Sequence, residues 1–400
     1  MTSTTNRDRG AGGPQAPAWP AVISMALGVF GLVTAEFLPA SLLTPIAAEL
    51  GISEGTAGQA VTATAVVGFA ASLLITAAAR RADRRHLLLF FSILLVASNL
   101  FVALAPGLTM LLLGRVLLGL ALGGFWTMAT AVTMRLVPPV FIPRALSIMF
   151  SGVSAATILA APLGSFLGDL AGWRSVFFLA AGLGGLALVV QFITLPSMQP
   201  TGSTRLSTLV EVLARPGIGL AMASVTLVFA GHFAFFTYLR PFLEEVTDAG
   251  ISAVSGILLG FGLANFLGTL LAGPLLGRSL RMTLTAAPLL LAVLAMSLVG
   301  FGQSAVVDVS VVALWGLAFG AVPVAWTTWL TRAVPDQAET AGGLLVAAIQ
   351  FSIALGAAAG GVIFDVSGAA GVFSASSLAL LVAGLTIMVG VRPPAVALAE

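Results

Sequence analysis

The sequence predicts an all-α membrane protein: twelve transmembrane helices arranged as two pseudo-symmetric six-helix bundles. Three observations carry this expectation. The 400-residue chain is 59% hydrophobic and only 8% charged, more apolar surface than a soluble domain can hide while keeping a charged exterior. Apolar segments of about 20 residues, the length that crosses roughly 30 Å of hydrocarbon, alternate with short polar breaks. The second half of the chain also repeats features of the first.

In chain order, residues 1–20 are rich in Thr, Gly, Pro and Arg and read as a disordered cytoplasmic tail. Apolar segments follow, centred near Gly31, Val67, Leu95, Leu120, Ser154 and Leu186, which places an amino-terminal bundle at 21–195. Residues 196–216 carry Pro, Ser, Thr and Arg and read as a cytoplasmic linker. Centres near Val228, Phe261, Leu291, Ala318, Phe351 and Leu381 then define a carboxy-terminal bundle at 217–392, with a last cytoplasmic tail at 393–400. All the basic charge is arginine. Alternate breaks hold nearly all of it, and only Arg174 and Arg240 fall on the other side. Because short cytoplasmic loops concentrate positive charge, both termini are expected in the cytoplasm.

The internal repeat has three matches in register. Gly51-Ile52-Ser53 recurs as Gly250-Ile251-Ser252. Gly119 to Gly123, GLALG, recurs as GLAFG at Gly316 to Gly320, and Asp169 with Val176-Phe177 recurs as Asp365 with Val372-Phe373. Matched halves with a site between them near the midplane are a frequent plan of secondary transporters.

The stretch Leu111 to Trp126 combines an intramembrane arginine, Arg115, with glycines that include Gly119. A charge there is expensive and faces a bundle interior or a wet cavity, whereas the glycines suit close helix approach. Glu36 lies about 16 residues into the first segment, roughly 24 Å at 1.5 Å per residue, at a depth similar to that of Arg115. The pair reads either as a fixed ion pair locking two helices or as a proton-exchanging acid beside a cation that tunes it. Asp83, with Arg84 among the arginines of ARRADRR, fits a salt-bridged latch at a helix end. Pro162 removes a backbone donor and is expected to kink the fifth helix. With Pro162 beside them, Gly164 and Gly168 are expected to pack that helix against the other half.

His232, Phe236 and Tyr238 crowd the end of the seventh segment, and Asn265 and Gln350 are amides inside the eighth and eleventh. Each amide reads as an interhelical hydrogen bond, worth about 1 kcal/mol, or as part of a cavity in which aromatic faces and neutral polar groups meet an uncharged ring system. Asp169, Asp308 and Asp365 sit near helix ends and read as solvated. No cofactor is expected. The chain has no cysteine and two distant histidines, His86 and His232, so a metal site is not expected. A phosphate loop needs a lysine that is absent, and no basic face suits a nucleic acid. An embedded enzyme would need paired catalytic groups at one depth, and only Glu36 with Arg115 qualifies. A receptor would not need two matched halves.

ARRADRR between the second and third segments, Arg115 with Gly119 in the fourth, and APLGSFLG around Pro162 together resemble the motifs of the major facilitator superfamily, in its drug:proton antiporter branch. Ala79 stands where that loop usually begins with glycine. Further segments, among them EFLPASLLTP, LGISEG, GRVLLGLALGGFW, FAFFTYLRP and DQAE, cover nearly the whole chain and are similar to the family's bacterial exporters of purine ribonucleosides. The resemblance implies a proton-coupled antiporter of the cell membrane that exports nucleoside-like substrates such as inosine and guanosine by alternating access, as a monomer. It implies gating around Asp83, Arg84, Gly119, Pro162 and Gly164, and a proton entry whose assignment to Glu36 and Arg115 is a reading of the residues. Substrate binding by His232, Tyr238, Gln350, Asn265 and Phe236 is a reading of the residues themselves. A multidrug or sugar exporter of the same fold shares the superfamily motifs and stays open as an alternative.

Overall fold

The computed structural model describes residues 17–78, 82–199, 206–245, 250–301 and 305–391. Arg80, Arg81, the middle of the linker and most of both tails lie outside the described residues. In the amino-terminal half, the spans are α1 (Trp19–Ser41), α2 (Glu54–Ala78), α3 (Arg84–Ala103), α4 (Leu108–Arg135), α5 (Ile142–Ala171) and α6 (Trp173–Thr194). In the other half, α7 is Ile218–Thr237. A long helix, Ile251–Phe301, breaks at Ser279 into α8 (251–278) and α9 (280–301). Span α10 (305–333) is two helices, Ala305–Gly320 and Val322–Ala333, with Pro323 opening the second. The last helix, Ala338–Gly390, breaks at Gly368 into α11 (338–367) and α12 (369–390). Gly368 has φ +64°, a left-handed turn that glycine adopts without a Cβ penalty. The two breaks bring the count among the described residues to the twelve spans the sequence predicts.

Glycines set how closely the helices of each half approach, and they do so twice over. A Cβ on Gly119 would meet the carbonyl of Thr64 at 2.5 Å and Val67 at 2.8 Å, so α4 lies backbone to backbone on α2. Gly316, 197 residues on, abuts the carbonyl of Phe261 in the same way, α10 on α8. Gly152 of α5 meets the carbonyl of Ala26 on α1, and Gly356 of α11 meets that of Ala230 on α7, both offset by 204 residues. With no hydrophobic drive between helices in lipid, such seams of small residues supply the van der Waals contact. The repeat seen in the sequence is therefore a repeat of helix crossings.

The halves meet where α2 packs on α11 and α5 on α8. We call the face where the described chain begins, at Pro17, the tail face, and the opposite one the far face. Far-face residues of the first half, including Leu38, Leu43, Ala57, Val61 and Phe177, belong to one apolar core with the second half. Its tail-face residues, including Met25, Leu88, Met128, Val132 and Met149, form a separate core. Apolar packing thus runs unbroken between halves at the far face and is divided toward the tail face.

Candidate functional site

The site is built outward from Arg115. Its side chain is 0% exposed. Arg115 Nη1 donates to the carbonyl of Ala35 on α1 (2.9 Å), and Nε to that of Ala60 on α2 (3.2 Å). The single Thr64 hydroxyl proton is shared between the carbonyls of Ala60 (3.1 Å) and of Arg115 itself (3.3 Å). Nη2 is buried and has no partner. One guanidinium on α4 thereby ties together the two helices that flank the seam. Its planar fork is suited to this, because one side chain presents several donors at fixed angles.

Glu36 follows Ala35 and lies within electrostatic reach of Arg115, without a hydrogen-bonded ion pair between them. Glu36 Oε1 instead accepts from Gln350 Nε2 on α11, at 3.4 Å. The acid is half-buried and engaged across the seam, so it faces the space between the halves and not lipid. Gln350 Oε1 is buried and unpaired. The next residue of α1, Phe37, meets Phe236 of α7 edge to face, with ring centroids 5.6 Å apart. Behind Phe236 stand His232 and Phe261, at 5.9 and 5.2 Å from it. His232 is 3% exposed and lies flat on Phe319 at 3.3 Å. The seam therefore offers one acid, a neutral amide and a wall of aromatic faces.

Other predicted residues hold the frame. Tyr238 is buried, its ring fitted against Gly360 and its hydroxyl donating to the carbonyl of Ala357 (3.1 Å). Asn265 Nδ2 donates to the carbonyl of Gly316 (3.3 Å), inside the α8–α10 crossing. Asp83 caps α3 by accepting from the Arg85 amide (2.8 Å). It also accepts from the Met198 amide (3.0 Å) and the Ser197 hydroxyl, while Arg84 donates its amide to the carbonyl of Met198 (3.0 Å). Its partners among the described residues are thus amides and a hydroxyl rather than a guanidinium, and they join α3 to the segment after α6. Partial burial pushes the Asp83 carboxyl up, but the bonds from Ser197, Met198 and Arg85 outweigh this and hold it below the usual carboxylate range. Pro162 sits inside α5, which continues through it.

Two expectations are corrected. Gly164 and Gly168 face Ser41, Leu38 and Leu42 of their own half, whereas α5 meets the other half at Thr157 and Ile158, against Gly262. Positions 157 and 164 are two turns apart on nearly one face of the helix, so the difference is one of depth, and spacing within a helix cannot say which neighbour each level meets. Of the acids read as solvated, Asp308 and Asp169 are covered, while Asp365 is exposed as read and is also engaged. Asp308 is fully covered. Asp365 Oδ2 accepts from Ser53 Oγ (3.0 Å), and Oδ1 from the Gly55 amide (3.2 Å), joining α11 to the start of α2. Asp169 pairs with Arg240 at 2.8 Å.

Arg240, which sequence reasoning counted as a loop charge, is the centre of a far-face latch. It is 3% exposed and lies in a short helix, Leu239–Glu245, after α7. It donates to the Ser41 carbonyl (2.6 Å), to Asp169 (2.8 Å), to Ser165 (3.3 Å) and to Glu244 (2.7 Å). The first three belong to the other half. A local signal existed in Arg240 and Glu244 at helical i,i+4 spacing. Beside the Asp365 contact lies a crevice of about 360 Å³ lined by Thr56, Gln59, Thr62 and Ala358.

Two matched bundles around a seam that holds a half-buried acid, with latches at one end only of what is described, define a membrane carrier that works by moving its halves. The Major Facilitator Superfamily model matches residues 25–357, and the chain belongs to that family. It is 45% identical over 392 residues to the purine ribonucleoside efflux pump NepI of Escherichia coli (strain K12), covering 98% of this chain and 99% of that protein. It is 46% identical over 382 residues to the NepI of Salmonella typhimurium, covering 96% of each. The fold is also that of a D-xylose–proton symporter (TM-score 0.75, 17% identity, 94% of this chain and 97% of that one). A bacterial homologue of the lysosomal transporter Spinster is equally similar in fold (TM-score 0.75, 16% identity, 95% and 98%). The transporter class expected from the sequence stands, as does its being no enzyme.

Proposed function

We propose that this carrier exports purine ribonucleosides such as inosine and guanosine, and purine analogues, in exchange for protons. The substrate class rests on relatives that align end to end and are named for it. The observation that carries the coupling is the contact between Glu36 and Gln350, an ionisable group of one half held by a neutral amide of the other within an aromatic-walled seam. In the proposed cycle the far face is extracellular, both termini are cytoplasmic, and the carrier acts as a monomer in the bacterial inner membrane. The arrangement described above is the state closed to the outside. The Arg240 and Asp365 contacts hold that side shut, and the divided apolar core marks the side from which substrate enters. Rocking the halves breaks the Glu36–Gln350 bond and changes what water reaches the acid, and so its proton affinity. Arg115 positions Glu36 by fixing the α1 backbone at Ala35. The Asp83 cap holds the cytoplasmic end of α3, and Gly119, Pro162 and Gly164 let α4 and α5 move as close-packed units.

The test is counterflow of labelled inosine in proteoliposomes, with and without a pH gradient, and with arabinose and chloramphenicol as the sugar and multidrug arms. Inosine alone should be exchanged, faster with a gradient, and Glu36→Gln should lose the gradient's effect. Full gradient dependence in Glu36→Gln would remove the assignment of the acid, and preference for arabinose or chloramphenicol would remove that of the substrate.

A further inference from the structure

We propose that His232 reads a ring-nitrogen acceptor on the substrate's base through an Nε2–H whose direction is fixed by Trp315, a step that rests on the purine reading above. Trp315 Nε1 lies 2.9 Å from His232 Nδ1. An indole nitrogen can only donate. Nδ1 must therefore carry the lone pair, and the proton of the neutral imidazole sits on Nε2. The same bond excludes the doubly protonated ring, in which both nitrogens donate. It also fixes the ring's orientation, because a flipped imidazole would turn a carbon toward the indole.

The plane is set as firmly as the tautomer. Phe319 lies parallel to the imidazole at 3.3 Å and 5°. Phe236 and Phe261 lie nearly parallel to it at 16° and 18°, with centroids 5.9 and 6.3 Å away. Phe236 is one helical turn from His232 on α7 and is the ring that reaches Phe37 on α1, so this stack borders the seam where Glu36 lies. Among the hydrogen bonds of the described residues, none uses Nε2. A donor left without an acceptor once a ligand excludes water from it is costly, and here the aromatic slab around it is complementary to a flat base. An acceptor in the plane of such a base, a ring nitrogen of the purine, supplies the missing partner. A sugar or an apolar drug does not place an aromatic nitrogen there. A site built to make one hydrogen bond rejects the isostere that lacks it far more strongly than an apolar wall does.

The experiment is competition against labelled inosine counterflow by unlabelled inosine, 7-deazainosine and 3-deazainosine, in which one ring nitrogen at a time becomes CH. In the parent protein, one of the two analogues should compete about tenfold less well than inosine and the other as well as inosine, the loss expected for one unpaired buried donor. In His232→Phe the disfavoured analogue should compete as well as inosine. In Trp315→Phe, which frees the tautomer, the discrimination should shrink while inosine is still carried. Residual inosine counterflow reports that each variant has folded. Equal competition by both analogues in the parent protein overturns the inference and leaves the transport reading intact, as does discrimination that survives in His232→Phe. No competition by inosine itself overturns the transport reading, and the inference with it.

Discussion

Replacing Arg240 by methionine keeps the length of the side chain and removes its donors. It deletes the bonds to the Ser41 carbonyl and Asp169 that cross between the halves, and it leaves Asp169 without its cation. Hydrogen bonds to charged groups are each worth about 1.5–3 kcal/mol. The lower figure applies, because the same groups regain water when the far side opens. Counting the two short bonds and leaving out the longer one to Ser165 (3.3 Å) makes about 3 kcal/mol of bias toward the far-closed state, or about a hundredfold in its population relative to the open one. The chain has no cysteine, so a single Phe37→Cys, placed behind the latch where Phe37 meets Phe236, gives a unique reporter. Labelling of intact cells by a membrane-impermeant maleimide should be about a hundredfold faster in Phe37→Cys/Arg240→Met than in Phe37→Cys alone. Arg240→Lys should fall between them, since lysine keeps the charge but not the fork. Equal labelling rates in all three proteins would refute both the latch and the assignment of the far face to the outside.

Gly119→Ala should destabilise the protein by about 1–3 kcal/mol through overpacking, because its Cβ would meet the Thr64 carbonyl, which cannot yield. Gly316→Ala should match it, and Gly182→Ala, which opens onto empty space, should not lower the melting temperature in detergent. Asp83→Ala should cost about 1 kcal/mol as a lost helix cap. Since folding lowers the Asp83 pKa, the stability it adds is present above the ordinary carboxylate range and is lost only as pH falls through the lowered folded value. The melting temperatures of parent and Asp83→Ala should therefore converge in acid, not in base. Arg115→Lys should insert normally yet lose most inosine exchange, because one ammonium cannot reproduce the fixed fork that reaches Ala35 and Ala60 together; retention of more than about half the rate would count against the positioning role.

The number of spans, their centres and the two-fold repeat were legible from the residues because they depend on local quantities: apolar length against bilayer thickness, and glycine spacing within a helix. Glu36, Arg115 and Gly119 stood out for the same reason, since a charge or a bare backbone in an apolar run has a cost that one segment reveals. Partners were not legible. Gln350 was visible as an amide, but 314 residues separate it from Glu36, and only the crossing of α11 over the first half brings them together. Arg240 and Asp169 resemble ordinary loop charges until the short helix after α7 brings Arg240 onto the end of α5. His232 was visible as an unusual intramembrane histidine, whereas the indole that fixes its tautomer lies on another helix. The sequence alone thus determined which groups are too costly to sit in lipid, because that cost belongs to each residue and its neighbours in the chain. The tertiary structure alone decided what each of them touches and which face is shut, because those depend on the rotation of every helix about its axis and on the meeting of segments hundreds of residues apart.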